Sequence, residues 1–188
     1  RVQEGIDEVA SGGTVRVDAG TYAERLTIGK PVTVLGAQWG VDARGRSGDE
    51  SILTEAGLST PNPDVLVEIT SSGDNVTLDG FTLIGDQTNT TADTSVIRAW
   101  SDGLTVENSI VDGLYGIICK GGDGLTVQQS VFDVSKTGIA AQPGVSSNLA
   151  ISDSVFSLDT THAAGGESAI YLTGVTTATV SGNEASGF

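Results

Sequence analysis

Apolar residues in this chain recur in short alternating phrases rather than in helical stripes. "NVTLDGFTL" from Asn75, "GLTVENSIV" from Gly103, "GLTVQQSVF" from Gly124 and "NLAISDSVF" from Asn148 are versions of one nine-residue pattern, with a weaker "TATVSGNEA" from Thr177. Their leading apolar residues, Val76, Leu104, Leu125, Leu149 and Ala178, are spaced by 21 to 29 residues. A period in the twenties with variable length predicts a solenoid whose loops differ from turn to turn. The alternation of apolar and polar letters makes each phrase strand rather than helix. The second polar slot holds Gly80, Asn108, Gln129, Asp153 and Gly182 in turn. Gly, Asn and Asp tolerate positive φ, so these slots predict one sharp corner repeated along the molecule.

A further strand precedes each phrase: "VLVEI" from Val65, "VIRAW" from Val96, "GIICK" from Gly116, "GIAAQ" from Gly138 and "AIYLT" from Ala169. Strands stacked in parallel at about 4.8 Å would satisfy one another's backbone and turn alternate side chains into a narrow core. The expected fold class is all-β, a parallel β-helix of coils over residues 13–188 with a short N-terminal capping helix in 1–12. Val2, Ile6 and Val9 stand at helical spacing before the stop signal Ser11-Gly12-Gly13. Such a helix would cover one open end of the stack, where strand edges are otherwise unpaired. No matching cover is written at the other end. The chain therefore reads as one domain, a fragment continuing into further coils or meeting a partner or second copy there.

Composition narrows the partners. The 188 residues carry 26 Gly and 9 Lys+Arg against 24 Asp+Glu, a formal net charge of -15. Such a surface repels nucleic acid and anionic membranes. No apolar run approaches the roughly 20 residues that span a bilayer, so membrane insertion is not expected. The single Cys119 excludes an internal disulfide. The acidity suits a soluble extracellular or cell-surface protein, a calcium-rich setting or a high-salt habitat.

The opening stretch, "VQEGIDEVASGGTVRVDAGTYAERLTIGKPVTVLGA", carries a helix, a Gly-Gly-Thr-Val strand, the turn Gly20-Thr21-Tyr22-x-Glu24 and a strand from Lys30 to Gly36. In these features it resembles the pectate-lyase-like superfamily of right-handed parallel β-helices. "NVTLDGFTLIGD" resembles that superfamily's repeated coil. The resemblance implies a right-handed β-helix over nearly the whole chain. It does not imply one activity, because the superfamily holds lyases, glycosidases, esterases, epimerases, phage tailspikes and surface proteins of no known reaction. In its enzymes carbohydrate lies in a groove on the outer face of one stacked sheet, and the "VIRAW" set resembles that sheet.

If Ile97, Ile117, Ile139 and Ile170 point inward, alternation turns Glu68, Arg98, Trp100, Lys120, Gln142 and Tyr171 outward. Aromatic faces stack on pyranose rings and cations pair with uronates, so these residues form a candidate carbohydrate-binding strip. The simpler expectation is a solvated face with a Glu68–Arg98 ion pair between neighbouring strands. Lyase chemistry needs a base, for which Arg98 and Lys120 are weak candidates, and a means of neutralising a carboxylate. The resemblance implies Ca²⁺ for that task, with Asp102 and Asp123 as weak ligand candidates. Both also sit in Asp-Gly turns, which suffice to explain them. No acid pair stands on the presumed groove strands, so the glycosidase pattern is missing. The esterase pattern and a Ser-His-Asp motif are missing too.

His162 lies in the loop "LDTTHAAGGES" and reads as solvated, while Cys119 reads as core. The excursion "GAQWGVDARGRSGDES" offers Trp39, Arg44 and Arg46 as further binding residues. The alternative is that Arg44 and Arg46 pair with Asp42, Asp49 and Glu50 to hold the loop. Asn75 and Asn89 fit N-glycosylation acceptors. Three functional readings follow. The first is a rigid acidic module of a secreted or cell-surface protein that touches carbohydrate. The second is a lyase of acidic polysaccharide using Arg98 and Lys120, and the third is a self-assembling filament or surface-layer subunit.

Overall fold

The computed structural model describes residues 1–59, 65–87, 89, 94–142, 144, 148–161 and 165–188. Helix α1 (Val2–Glu8) buries Val2 and Ile6 and packs against strands β1 (Gly13–Arg16) and β3 (Leu26–Ile28). The buried Glu24 carboxylate accepts the N–H groups of Val2 (2.8 Å) and Gln3 (3.2 Å), two donors that a helix start leaves without an internal partner. Lys30 closes the other end by donating to the carbonyls of Asp7 and Val9. The helix is shorter than the expected 1–12. Val9 is already extended, at φ -68° and ψ 144°, and β1 begins at Gly13.

Among the described residues the strands form two sheets, and every pairing within them is parallel. The first runs in the order β1, β4 (Val32–Leu35), β7 (Thr77–Asp79), β10 (Thr105–Glu107), β12 (Thr126–Gln128), β14 (Leu149–Ser152) and β17 (Ala178–Ser181). The second contains two rows. One is β2 (Gly20–Ala23), β5 (Ser51–Thr54), β8 (Phe81–Ile84), β11 (Ile110–Cys119), β13 (Val131–Ala141), β15 (Val155–Leu158) and β18 (Glu184–Ser186). The other is β3, β6 (Val65–Ile69), β9 (Ser95–Ala99), the second halves of β11 and β13, and β16 (Ser168–Leu172). The sequence predicts these rows as separate strands. They fuse because in β11 and β13 the end of one phrase runs without a break into the next strand, past a register irregularity between Gly113 and Tyr115.

The register stacks like on like. Val34, Leu78, Val106, Val127 and Ile151 form one inward column. Leu53, Leu83, Val111, Phe132 and Phe156 form a second, and Leu26, Val67, Ile97, Ile117 and Ile139 a third. All fifteen belong to one buried cluster. Each such side chain contributes roughly 1.5–3 kcal/mol by leaving water. Phe132 and Phe156 stack with centroids 4.8 Å apart at 13°. The last strands, β17 and β18, are exposed along their whole length.

Corners between β7 and β8 and their successors fall where the repeats place them. Gly80, Asn108, Gln129, Asp153 and Gly182 have φ of 78°, 49°, 50°, 51° and 66°. The serine next to three of these corners serves a further purpose. Ser109, Ser130 and Ser154 are fully buried. Their hydroxyls donate to the carbonyls of Glu107, Gln128 and Ser152 and accept the N–H groups of Phe81, Ser109 and Ser130 from the preceding repeat. One repeated letter thus bonds each repeat to the next and satisfies both the buried hydroxyls and the corner N–H groups they accept.

Residues 36–50 leave the first sheet and cross this line of corners. The N–H of Gln38 donates to the Gly80 carbonyl (3.3 Å) and that of Ala43 to the Gln129 carbonyl (3.0 Å). On the return, Arg46 is buried to 1% exposure, ion-paired with Glu50 at 2.8 Å. Its guanidinium also donates to the carbonyls of Phe81 (2.9 Å) and Asn108. Glu50 in turn accepts the Thr82 hydroxyl (3.0 Å). The excursion is a strap fastened across three successive corners.

Candidate functional site

The row β6, β9, β11, β13 and β16 turns one face outward. Glu68, Arg98, Ile118, Ala140 and Tyr171 stand in register along it. Two residues further along each strand, Trp100, Lys120 and Gln142 continue the ladder through N–H bonds to Ile69, Ala99 and Cys119. Their inward neighbours Ile97, Ile117 and Ile139 are fully buried, and Ile170 is partly so. Arg98, Lys120 and Tyr171 therefore occupy outward positions of one face, as alternation predicts. The strip is not continuous. Ile118 and Ala140 fill the middle of the first column, buried but outside the main core cluster. Tyr171, 55% exposed, thus stands apart from the group around Trp100.

Glu68 organises that group. One carboxylate oxygen accepts from Nε of Arg98 at 2.7 Å, and the other accepts the indole N–H of Trp100 at 2.8 Å. The expected Glu68–Arg98 ion pair is present, and it also fixes an aromatic ring. Trp100 is 45% exposed although its polar atom is satisfied. The Lys120 ammonium, one strand on, donates to the Gln142 side-chain oxygen at 2.7 Å. The result is a fixed indole with a guanidinium and an ammonium on neighbouring strands. Arg98 is held against Glu68 through its Nε.

The aspartates proposed for calcium have structural work. Asp74 accepts the N–H of Asp102 (3.0 Å), Asp102 accepts the N–H of Asp123 (2.8 Å), and Asp123 accepts the Asn148 side-chain amide (3.0 Å). Each carboxylate secures the corner of the next repeat. Among the described residues no group of three or more His, Cys, Asp and Glu is placed to hold a metal ion.

In the strap, Arg44 grips Asp42 through contacts of 2.7–3.1 Å, and this hydrogen-bonded guanidinium holds the Asp42 carboxyl below its ordinary range. Arg46 pairs with Glu50, and at 1% exposure its side chain does not reach a surface ligand. The Asp49 carbonyl accepts the Gln38 amide (2.8 Å). Trp39 is half exposed, with the Arg16 guanidinium 5.0 Å from its ring centre. Cys119 is core, and burial pushes its thiol up to about 12. Asn75 is exposed at a corner with φ 56°. His162, and Thr90 and Thr91 of the Asn89 acceptor, lie outside the described residues.

Sequence reasoning passed over one pair of acids. Asp112 and Asp133 are register partners on β11 and β13. Burial pushes the Asp112 carboxyl above its ordinary range, the Gln87 side-chain amide pulls it back, and Asp133 and Asp159 add repulsion. The signal was available: reading the doubled phrase one letter further gives "SIVD" and "SVFD".

Searches against protein-family models, curated proteins and solved structures find no match to this chain.

Proposed function

We propose that the chain winds as a right-handed parallel β-helix of the pectate-lyase-like kind, and that it is a rigid module of a secreted or cell-surface protein with a carbohydrate-contact face centred on Trp100. The observation that carries the reading is the Glu68 clamp. A half-exposed tryptophan held by its N–H in one orientation loses little rotamer freedom when a sugar ring stacks on it. Lys120 and Arg98 flank the ring and offer hydrogen-bond donors to ring substituents. The parallel register, the repeating corners and the inward columns support the helical winding. The acidic surface supports a soluble, exposed setting.

Lyase chemistry at this face is the weaker reading, because both candidate bases already donate to neighbours. The test is affinity electrophoresis against a panel of neutral and acidic polysaccharides. Retardation by at least one of them, weakened about tenfold or more in Trp100→Ala and partly in Glu68→Gln, is expected. Retardation by none, or equal retardation of both variants and the parent, would sink the proposal. Appearance of unsaturated sugar products would favour the lyase instead.

A further inference from the structure

Away from the Trp100 face, the ends of β5 and β8 leave a cavity of about 320 Å³ whose walls include Arg25, Glu55, Leu58, Ile84, Asp86 and Gln87. Its polar side is built by the two strands turning out of register contact together. Thr54 pairs with Ile84, the Glu55 N–H donates to the Ile84 carbonyl (3.3 Å), and the Leu58 N–H bonds back to the Glu55 carbonyl (2.9 Å). That turn buries the Glu55 side chain to 7% exposure, 3.5 Å from the Arg25 guanidinium. The Asp86 N–H donates to the other Glu55 oxygen at 3.1 Å. Gln87 is fixed at both ends, its amide donating to Asp112 and its oxygen accepting the Ser135 hydroxyl (3.0 Å).

The walls select a chemistry. The Arg25 guanidinium and the Asp86 carboxylate have several donors and acceptors apiece, beyond the Glu55 contact of the one and the Asn89 N–H (3.3 Å) accepted by the other, and vicinal hydroxyls match such groups. Leu58 and Ile84 supply an apolar wall for ring C–H groups. The volume lies at the lower end for ligand pockets and leaves room for one sugar residue. Charge argues against an anion. Among the described side chains the carboxylates Glu55, Asp86 and the neighbouring Asp112 outnumber the one cation, Arg25. A metal ion is disfavoured too, since no described group of three or more acids, His or Cys is placed to hold one.

We propose that this cavity binds a single uncharged sugar residue, gripping vicinal hydroxyls with Arg25 and Asp86 and seating its apolar face on Leu58 and Ile84. The inference rests on the carbohydrate reading above but names the kind of sugar and uses none of the Trp100 residues.

The whole chain is titrated with D-glucose, D-galactose, D-mannose and L-arabinose, with D-galacturonate as the charged comparator, while the Gln87 side-chain amide is followed by NMR. At least one neutral sugar at tens of millimolar should shift that resonance saturably, and galacturonate should not. Arg25→Ala and Asp86→Asn should each weaken the effect about tenfold, and Trp100→Ala should leave it unchanged. Asp86→Asn keeps the backbone N–H that serves Glu55, so it remains informative if Arg25→Ala unfolds. No shift with any neutral sugar, a shift indifferent to Asp86→Asn, or a preference for galacturonate would each overturn the proposal. Loss of polysaccharide retardation in Trp100→Ala together with a silent Gln87 would remove this site alone. A responsive Gln87 with Trp100 irrelevant would remove the Trp100 face alone.

Discussion

A Cβ added to Gly80 would overlap the amide nitrogen of Trp39, because the strap lies directly on the first corner. The later corners at Asn108, Gln129 and Asp153 carry side chains in the same left-handed conformation. Gly80 is therefore glycine for want of space as well as for its φ of 78°. Gly45 has φ 81° but nothing within 4 Å of its absent Cβ. Gly45→Ala should cost about 1–2 kcal/mol of backbone strain, and Gly80→Ala should cost about 1–3 kcal/mol more through overpacking. Urea unfolding of the two variants side by side separates the terms. Equal costs would mean that the strap gives way freely.

Arg46 should be the residue on which the strap depends. Its removal leaves a largely buried Glu50 carboxylate and the Phe81 and Asn108 carbonyls without their donor. Arg46→Ala is expected to lose about 3–5 kcal/mol. Adding Glu50→Gln should recover part of that loss by removing the stranded charge. Chemical denaturation of the single and double variants measures both, and a double variant no more stable than Arg46→Ala would contradict the account.

Asp112 should make the fold less stable at neutral pH. Burial raises its folded-state pKa, so the folded chain holds this proton more tightly than the unfolded one. The favourable contribution is complete below the unfolded carboxylate range, near pH 3–4, and disappears as pH rises through the folded value. Asp112→Asn keeps an acceptor for Gln87 and removes the charge. Its melting temperature should exceed the parent's at neutral pH, and the two should converge toward about pH 3. A gain that persists in acid would show that charge is not the cause.

Cys119 should be silent in the native state. With its thiol pushed up to about 12 and its side chain in the core, almost no thiolate forms or reaches solvent at pH 8. A disulfide reagent at that pH should label the chain only after denaturant is added. Rapid labelling of native protein would mean that the strand β11 opens locally.

The repeated elements were legible because they rest on side-chain periodicity. The phrase beginning at Gly103 and its copies, with the strand that precedes each, gave the strands, the inward columns and all five corners, including Gln129, whose residue type does not itself favour positive φ. The Glu68–Arg98 pair was legible from strand alternation. The Trp100 clamp was not, since it reaches diagonally from one strand to the end of the next. The role of Arg46 was hidden because its main partners, beyond Glu50, are backbone carbonyls, which every residue possesses. The Arg25 cavity was also out of reach: its residues come from three separated segments and share no periodic position.

The strap has a mechanical consequence. Where repeats touch only their neighbours, a chain can peel from either end one unit at a time. Residues 36–50 tie the corners at Gly80, Asn108 and Gln129 to one another from outside. A pull that parts the parallel strands loads these three together, like planks under one batten, whereas among the described residues no backbone hydrogen bond carries the strap to the corners after Gln129.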